Sequence, residues 1–176
     1  MDAVIVDTNV IVIANDTDDD DRRDCRDLCQ DRLQQIWDQR ETVILDNGWR
    51  ILGEYEDNTN PNSRKGIGDL FVKRLLQNLG NPNICTMMPI TPSVRNGADF
   101  EEFPSDDALS GFDPDDRKFI AVAVAYENVH QQKAILLQAV DSQWYGFREA
   151  LVENGLEIEF VCETYIRDLY ERRNAS

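Results

Sequence analysis

The chain alternates short apolar runs with longer segments of helical periodicity. The runs AVIV (3–6), TVILD (42–46) and AILLQAV (134–140) are almost wholly apolar, which is typical of strands buried on both faces of a parallel sheet. Two weaker runs, ICTMMPI (84–90) and LEIEFV (156–161), predict further strands, and the second alternates as an edge strand does. Helices are predicted between the runs, at 8–15, 22–39, 47–57, 67–80, 113–129, 142–155 and 162–173. The alternation predicts an α/β domain with a mostly parallel central sheet.

The length and punctuation of the chain favour one domain over residues 1–176. A chain of 176 residues buries roughly 70% of its unfolded surface, which is enough for a core without staples. Gly80 and Gly155 are predicted to end two of the helices. The segment 91–112 has no clear periodicity and is predicted to be an acidic loop or insertion. Loops of this length tend to be functional or mobile.

Acidic residues recur where the predicted strands end. Asp7 follows the first strand directly, and Asp141 follows the strand at 134–140. Ligands of parallel α/β sheets bind at the carboxyl ends of the strands, so we expect these acids at one edge. The same edge is predicted to receive acids from two further segments, namely Glu54 from the helix after the second strand, and Asp113, Asp115 and Asp116 from the start of the helix at 113–129.

Clustered carboxylates raise one another's pKa, and a divalent cation relieves the repulsion. Oxygen ligands without His or Cys favour Mg²⁺ or Mn²⁺, and a water on such an ion can attack a phosphodiester. Each acid also has a structural interpretation. Asp7 and Asp141 could cap the helices that follow them, and Glu54 could belong to a solvated helix face. The acids at 113–116 could complement a helix dipole.

The charge balance limits the classes of partner. The chain has 34 acids and 18 bases, for a net charge of -16, so it lacks the basic face of a protein that coats nucleic acid by charge. A nuclease with a metal-filled acidic site remains compatible with this charge. Arg117 and Lys118 could equally offset the neighbouring Asp residues. The bases that could contact RNA phosphates are Arg64, Lys65, Lys73, Arg74, Arg117 and Lys118.

The four cysteines and the apolar runs indicate the compartment. With no paired C-x-x-C pattern and with one His, a zinc site is not expected. The cysteines are instead predicted to be small, buried thiols in a reducing cytosol. Asp2 and Asp7 interrupt the first apolar stretch, so no signal peptide is expected. No run reaches the length of a membrane span. A cytoplasmic protein without membrane contact is the prediction.

Four stretches resemble the motifs of the PIN domain, a nuclease domain found in toxin–antitoxin toxins and RNA-processing factors. VIVDTNVIV (4–12) is similar to the opening of that family, and ILGEY (51–55) resembles the helix that carries its second acid. DPDDRKFIAVAVA (113–125) is similar to the third motif and is the most specific of the four, and ILLQAVDSQW (135–144) resembles the last. The resemblance extends over about residues 1–165.

The resemblance implies a Rossmann-like three-layer α/β/α sandwich and an endoribonuclease that uses Mg²⁺ or Mn²⁺ on single-stranded RNA. By motif, the metal-binding and catalytic positions are Asp7, Glu54, Asp116 and Asp141, supported by Thr8, Asn9, Asp113 and Asp115. An antitoxin partner and a homodimer are also features of the family. The chain departs from it at Ala139, where family members commonly carry a Thr or Ser two residues before the last Asp.

Other classes share parts of this pattern. A PIN-like scaffold with weak or no catalysis, acting in binding or regulation, is the main alternative. A receiver-type signalling domain would use Asp46 as phosphoryl acceptor, but residues 141–176 contain no Lys to contact the phosphoryl group. A dehalogenase-like phosphatase needs an Asp-x-Asp at the first strand, where this chain has Asn9. A dinucleotide-binding domain needs a Gly-rich turn that the chain lacks.

Overall fold

The computed structural model describes residues 2–16, 22–63, 65–93 and 99–175, which form an α/β domain. Five strands build its sheet: β1 (Ala3–Val6), β2 (Thr42–Asp46), β3 (Cys85–Met88), β4 (Ala134–Gln138) and β5 (Glu157–Phe160). The described helices are α1 (Thr8–Asn15), α2 (Arg23–Asp38), α3 (Arg50–Asn58), α4 (Ile67–Gln77), α5 (Arg117–His130), α6 (Ser142–Glu153) and α7 (Glu163–Asn174). Two short 3₁₀ turns occur at Asp107–Leu109 and Pro114–Asp116.

The strands lie in the order β3-β2-β1-β4-β5, and every neighbouring pair is parallel. The predicted α/β class with a parallel sheet is therefore confirmed, and the layers match a Rossmann-like three-layer sandwich. All residues of β1 and β2 are buried, because helices cover both faces of the sheet. β5 lies at one edge and is only partly buried, as its alternating sequence predicts.

The chain runs outward from β1 in one direction and later returns to β4 on its other side. The carboxyl ends of β1 and β4 are neighbours, because Val6 pairs with Leu137 and the backbone N–H of Asp7 donates to the carbonyl of Leu137 at 2.9 Å. In open α/β sheets a crevice forms where the strand order reverses in this way. The fold therefore places a crevice between the residues that follow β1 and those that follow β4.

Helix ends agree with the sequence patterns in one case and differ in another. After α6, Gly155 adopts a φ of +87°, and the N–H of Leu156 bonds the carbonyl of Leu151 at 3.1 Å, so a glycine does close this helix. The prediction for Gly80 is wrong, because α4 ends at Gln77. The N–H of Asn78 bonds the carbonyl of Leu75, and the chain turns before it reaches Gly80.

The described part of the segment 91–112 packs on the domain. It has little regular structure, as predicted, and an isolated antiparallel bridge joins Pro92 to Phe100. Its aromatic rings are buried, with Phe112 in edge contact with Trp144 at 5.1 Å between ring centroids. Its buried rings therefore anchor this segment on the domain. Residues 94–98 lie outside the described ranges.

The cysteine prediction is wrong for one pair. Cys25 of α2 and Cys162, which precedes α7, form a disulfide across 137 residues of sequence. Cys29 and Cys85 are buried free thiols, as expected. No local pattern indicates this pair, because its members are far apart in sequence and meet only in the folded chain. Within the described ranges, no helix combines the length and the apolar character needed to span a bilayer.

Candidate active site

Asp7 lies directly after β1 and is 6% exposed. Its carboxylate accepts a hydrogen bond from the backbone N–H of Asn9 at 2.9 Å, so the N-cap interpretation of Asp7 holds. The cap does not explain its electrostatics. Burial raises the pKa of Asp7 well above its usual range, the negative charge of Asp116 raises it further, and the Asn9 bond opposes both. Glu54 and Asp141 also raise it.

Because Glu54, Asp116 and Asp141 all raise the pKa of Asp7, acids from four chain segments lie close together. Asp7 follows β1, Glu54 lies on α3, Asp116 ends the 3₁₀ turn before α5, and Asp141 follows β4. Residues far apart in sequence thus share one electrostatic environment. The edge predicted from the strand ends is the place where they lie.

Asp116 is held from the opposite side of the crevice. The indole Nε1–H of Trp144 donates to its carboxylate at 2.8 Å. Burial raises the pKa of Asp116 to about 6, while the Trp144 bond and the Lys118 ammonium lower it. Asp141 and Asp113 raise it again. A carboxyl group with a pKa near neutral pH is poised to exchange a proton for a cation.

Glu54 is paired with a base. Its carboxylate lies 2.6 Å from the ammonium of Lys118, whose side chain is 10% exposed. Lys118 also donates to the carbonyl of Asp115. Lys118 therefore offsets an acid, but its ion-pair partner is Glu54 of α3 and not one of the neighbouring Asp residues, as the alternative had it. Contact with a phosphate by Lys118 stays a prediction.

Asp141 and the backbone before it are oriented by side chains of β4 and α1. It caps α6 by accepting from the N–H of Gln143 at 2.7 Å. The Gln138 amide oxygen accepts from the N–H of Ala139 at 2.7 Å and of Asp141 at 3.3 Å. The Asn9 amide oxygen also accepts from the N–H of Ala139, at 3.0 Å. The hydroxyl missing at position 139 is thus replaced, for the orientation of this backbone, by two amide side chains.

The remaining supporting residues differ in what they contribute. Asp113 caps the 3₁₀ turn by accepting from the N–H of Asp115 at 2.9 Å, and Asp115 is exposed. Asp116 is therefore the acid of this set that faces the other carboxylates. Thr8 is buried, and among the described residues its hydroxyl has no hydrogen-bond partner. A buried hydroxyl of this kind indicates a missing water or ligand at the site.

A cleft of about 480 Å³ opens beside the acids. Among the residues lining it are Arg50, Glu54, Phe100, Asp115, Asp116 and Lys118. The cleft brings carboxylates, two bases and an aromatic ring to one surface, and two of the four acids, Glu54 and Asp116, line it. A groove of about 540 Å³ also occurs on α2 and β5, but it contains none of the four acids, and we assign the chemistry to the cleft.

The carboxylate oxygens fit a hard divalent cation, with one restriction. Within the described ranges, the one set of three metal-binding side chains whose ligand atoms lie within 4.8 Å of one another is a cysteine cluster, and the acids are more widely spaced. Mg²⁺ commonly uses one or two carboxylates and keeps several waters. The donor set fits that mode, and the buried, unpartnered Thr8 hydroxyl directly follows Asp7 in sequence.

The predicted RNA-contacting bases are dispersed. Arg117 bonds the carbonyls of Ser110 and Phe112 and pairs with Asp99 at 3.1 Å, so it anchors the segment before α5. Arg74 stacks on Trp37 at 4.4 Å, in a groove next to the start of β2 and thus at the amino edge of the sheet.

The other predicted bases have fewer described contacts. Lys65 is exposed and Lys73 is half-buried on α4, whereas Arg64 lies outside the described residues. Of the six predicted bases, the structure therefore places Lys118 in the cleft. Arg50, which sequence reasoning missed, lies there as well.

Several residues of the site carried weak or no sequence signals. Gln138 is a fully buried polar residue in an otherwise apolar strand, and this interruption of AILLQ was a usable signal. Tyr55 donates to the carbonyl of Val6, and burial, followed by the charge of Asp7, raises its pKa well above the usual range. Trp144 and Tyr55 read in sequence as ordinary core aromatics.

The receiver-type alternative fails on the position of Asp46. This residue is fully buried, and its carboxylate accepts from the N–H groups of Arg50 and Ile51 at 3.1 and 2.8 Å. It caps α3 and has no exposed oxygen to accept a phosphoryl group.

The chain was compared with protein-family models, with curated proteins and with solved structures, and no match was found in any of the three comparisons. The assignment of a function therefore depends on the geometry and chemistry of the site.

Proposed function

We propose that this chain is a PIN-like endoribonuclease that hydrolyses phosphodiester bonds of single-stranded RNA with Mg²⁺ or Mn²⁺. The observation that carries the proposal is the meeting of Asp7, Glu54, Asp116 and Asp141 at the carboxyl edge. Structural acids are usually paired, whereas here burial and mutual repulsion raise the pKa of Asp7 and of Asp116. Such an arrangement is costly for folding and is typical of a site that holds a cation.

The proposed roles follow from position. Asp7 and Asp116 hold the ion together with Asp141, and Glu54 joins them when it leaves Lys118. When bound, Mg²⁺ or Mn²⁺ acidifies a water and offsets the charge that develops on the phosphodiester. Trp144 fixes the carboxylate of Asp116 through its 2.8 Å bond. Gln138 and Asn9 fix the backbone before Asp141, and the Thr8 hydroxyl orients a water.

The RNA substrate is proposed to bind in the cleft. Arg50 and Lys118 line it next to the acids, so they can contact the phosphates on either side of the cleaved bond. With a net charge of -16 and with Arg117 and Arg74 engaged in other contacts, RNA binding depends on few phosphate contacts. An antitoxin partner, a homodimer and a cytoplasmic location belong to the same proposal through the resemblance to the PIN family.

The test is cleavage of a fluorescently labelled single-stranded RNA with Mn²⁺, with Mg²⁺ and with EDTA, by the wild-type protein and by Asp7→Asn. We expect cleavage with either metal, none with EDTA, and none by the variant. Asp31→Asn, which changes an exposed acid of α2, is the matched control and should cleave normally. Cleavage that survives both EDTA and Asp7→Asn would overturn the mechanism.

A PIN-like scaffold without catalysis is the second candidate, and the Glu54–Lys118 pair favours it, because an internal ammonium already occupies one of the acids. Calorimetric titration with Mn²⁺ separates the two. Binding of one ion that is lost in Asp7→Asn supports the nuclease, and failure of the wild-type protein to bind Mn²⁺ supports the scaffold.

A further inference from the structure

A second cluster of chemically capable side chains lies away from the acids, between α2 and α7. Cys25 and Cys29 are one turn apart on α2, and Cys162 is the N-cap residue of α7. Cys25 and Cys162 form the disulfide, and the Cys29 Sγ lies 3.7 Å from the Cys162 Sγ. All three sulfurs lie within 4.8 Å of one another. The disulfide uses two of them and leaves the third in contact.

The cluster is isolated from water. Cys25 is 3% exposed, Cys162 is 2% exposed and Cys29 is fully buried. The Cys29 thiol has no exposed surface through which a reaction partner could reach it. Its position therefore gives it no role as a reactive thiol. A role that remains open to a buried thiol next to two other sulfurs is metal ligation, in which an ion displaces the proton.

The spacing of the sulfurs fits three ligands of one ion. At a metal–sulfur distance of about 2.3 Å, two sulfurs on one trigonal ion are about 4 Å apart, which is close to the 3.7 Å between Cys29 and Cys162. Cys162 also stands at the amino end of a helix of 12 residues, where the backbone dipole stabilises a thiolate. The three side chains can therefore converge on one ion once the disulfide is open.

The donor set selects the ion. Zn²⁺ in structural sites takes four ligands, but among the described residues no His, Asp or Glu completes the cluster, and the burial excludes water. A soft ion that is satisfied by few thiolates fits better, and thiolates select Cu(I). We propose that the reduced form of this protein binds one Cu(I) ion through Cys25, Cys29 and Cys162.

The disulfide and the ion exclude each other, and the chemistry balances. A reductant of the dithiol or phosphine class supplies two electrons, the Cys25–Cys162 bond breaks, and each sulfur takes up a proton. Cu(I) then binds with release of protons from the thiols that become thiolates, and its oxidation state does not change. The site therefore forms in the reduced protein and is closed in the oxidised one.

The test is a titration of the phosphine-reduced protein with Cu(I) under anaerobic conditions, in competition with a chromogenic Cu(I) chelator. Native mass spectrometry gives the stoichiometry. We expect one equivalent in the wild-type protein, none before reduction, and an affinity at least about tenfold lower in Cys29→Ser. Cys29→Ser keeps the disulfide, so its fold can be verified in the oxidised form by circular dichroism.

Cys85→Ser is the matched control, because Cys85 is also a buried free thiol and lies on β3, 3.9 Å from the sulfur of Met87. It should bind Cu(I) as the wild-type protein does. No binding by the reduced wild-type protein would overturn the proposal, as would undiminished binding by Cys29→Ser or loss of binding in Cys85→Ser. One equivalent of Zn²⁺ bound in preference to Cu(I) would overturn the choice of ion.

Discussion

Buried acids occur at both edges of the sheet, and the two sets differ in the charge of their partners. At the amino edge, the buried Arg32 bonds the buried Glu41 at 2.8 Å, and it also bonds Glu159 of β5, whose side chain is 40% exposed, at 2.9 Å. At the carboxyl edge, Asp7 is 6% exposed, and its neighbours are Asn9 and other acids. Burial and like-charge neighbours raise the pKa of Asp7, whereas each acid of the Arg32 group has a guanidinium partner. The first set stabilises the fold, and the second costs stability that a bound cation would restore.

The largest effect is expected from breaking the amino-edge group. Arg32→Met leaves the buried carboxylate of Glu41 without its partner, so we expect the free energy of unfolding to fall by about 3–5 kcal/mol. Urea denaturation measures it. Arg167→Met, which removes an exposed pair with Asp168 at 3.9 Å, should change stability by less than about 0.5 kcal/mol. If Arg32→Met changed the free energy of unfolding as little as Arg167→Met, the ion pairs of Arg32 would not stabilise the fold.

The opposite result is expected at the carboxyl edge. Asp7→Asn keeps the N-cap of α1, because Asn accepts the same bond, and removes a buried charge among like charges. RNA cleavage should fall about a hundredfold or more, while the free energy of unfolding without metal should rise on the order of 1 kcal/mol. A variant that loses both activity and stability would contradict the distinction between the two edges.

The burial and mutual repulsion of these acids should also make the stability of the protein depend on pH. The pKa of Asp116 in the folded protein, about 6, is above its unfolded value, and that of Asp7 is raised as well. The folded state therefore holds protons more tightly than the unfolded state. The stabilisation of the folded state by these protons is present in full below about pH 4 and is lost as the pH rises through about 6.

Asp116→Asn isolates this contribution. Relative to the variant, the wild-type protein should lose on the order of 2 kcal/mol between about pH 4 and pH 7, measured by urea denaturation in EDTA. Asp113→Asn, which keeps the cap of the 3₁₀ turn, serves as control and should follow the wild-type curve more closely. Parallel curves for the wild-type protein and Asp116→Asn would show that ionisation of Asp116 does not destabilise the folded state.

The smallest effect concerns the base within the acidic set. Lys118 places a positive charge 2.6 Å from Glu54, so it competes with a metal ion for that carboxylate. Lys118→Gln should bind Mn²⁺ about fivefold more tightly, which corresponds to about 1 kcal/mol, and should cleave RNA more slowly. Calorimetric titration measures the affinity, with Lys73→Gln as control. Weaker binding by Lys118→Gln would show that Lys118 supports the ion.

The helices and strands, and the edge of the sheet where the acids meet, follow from local sequence patterns. Apolar runs such as AVIV (3–6) and TVILD (42–46) specify buried strands. Successive side chains of a strand point to opposite faces of the sheet, so a run that is apolar at successive positions fits a strand covered on both faces. Acids placed after parallel strands then lie at one edge by geometry alone. For the same reason, Asp7 and Asp141 could be assigned to that edge without coordinates.

Which groups become partners depends, in contrast, on how the elements pack in three dimensions. The Cys25–Cys162 disulfide, the Arg32–Glu159 pair and the bond from Ala139 to Asn9 span 137, 127 and 130 residues of sequence. Local patterns carry no information on such pairs, because helix docking and strand order bring their members together. The same holds for Lys118, whose sequence neighbours are acids but whose ion-pair partner is Glu54 on another helix.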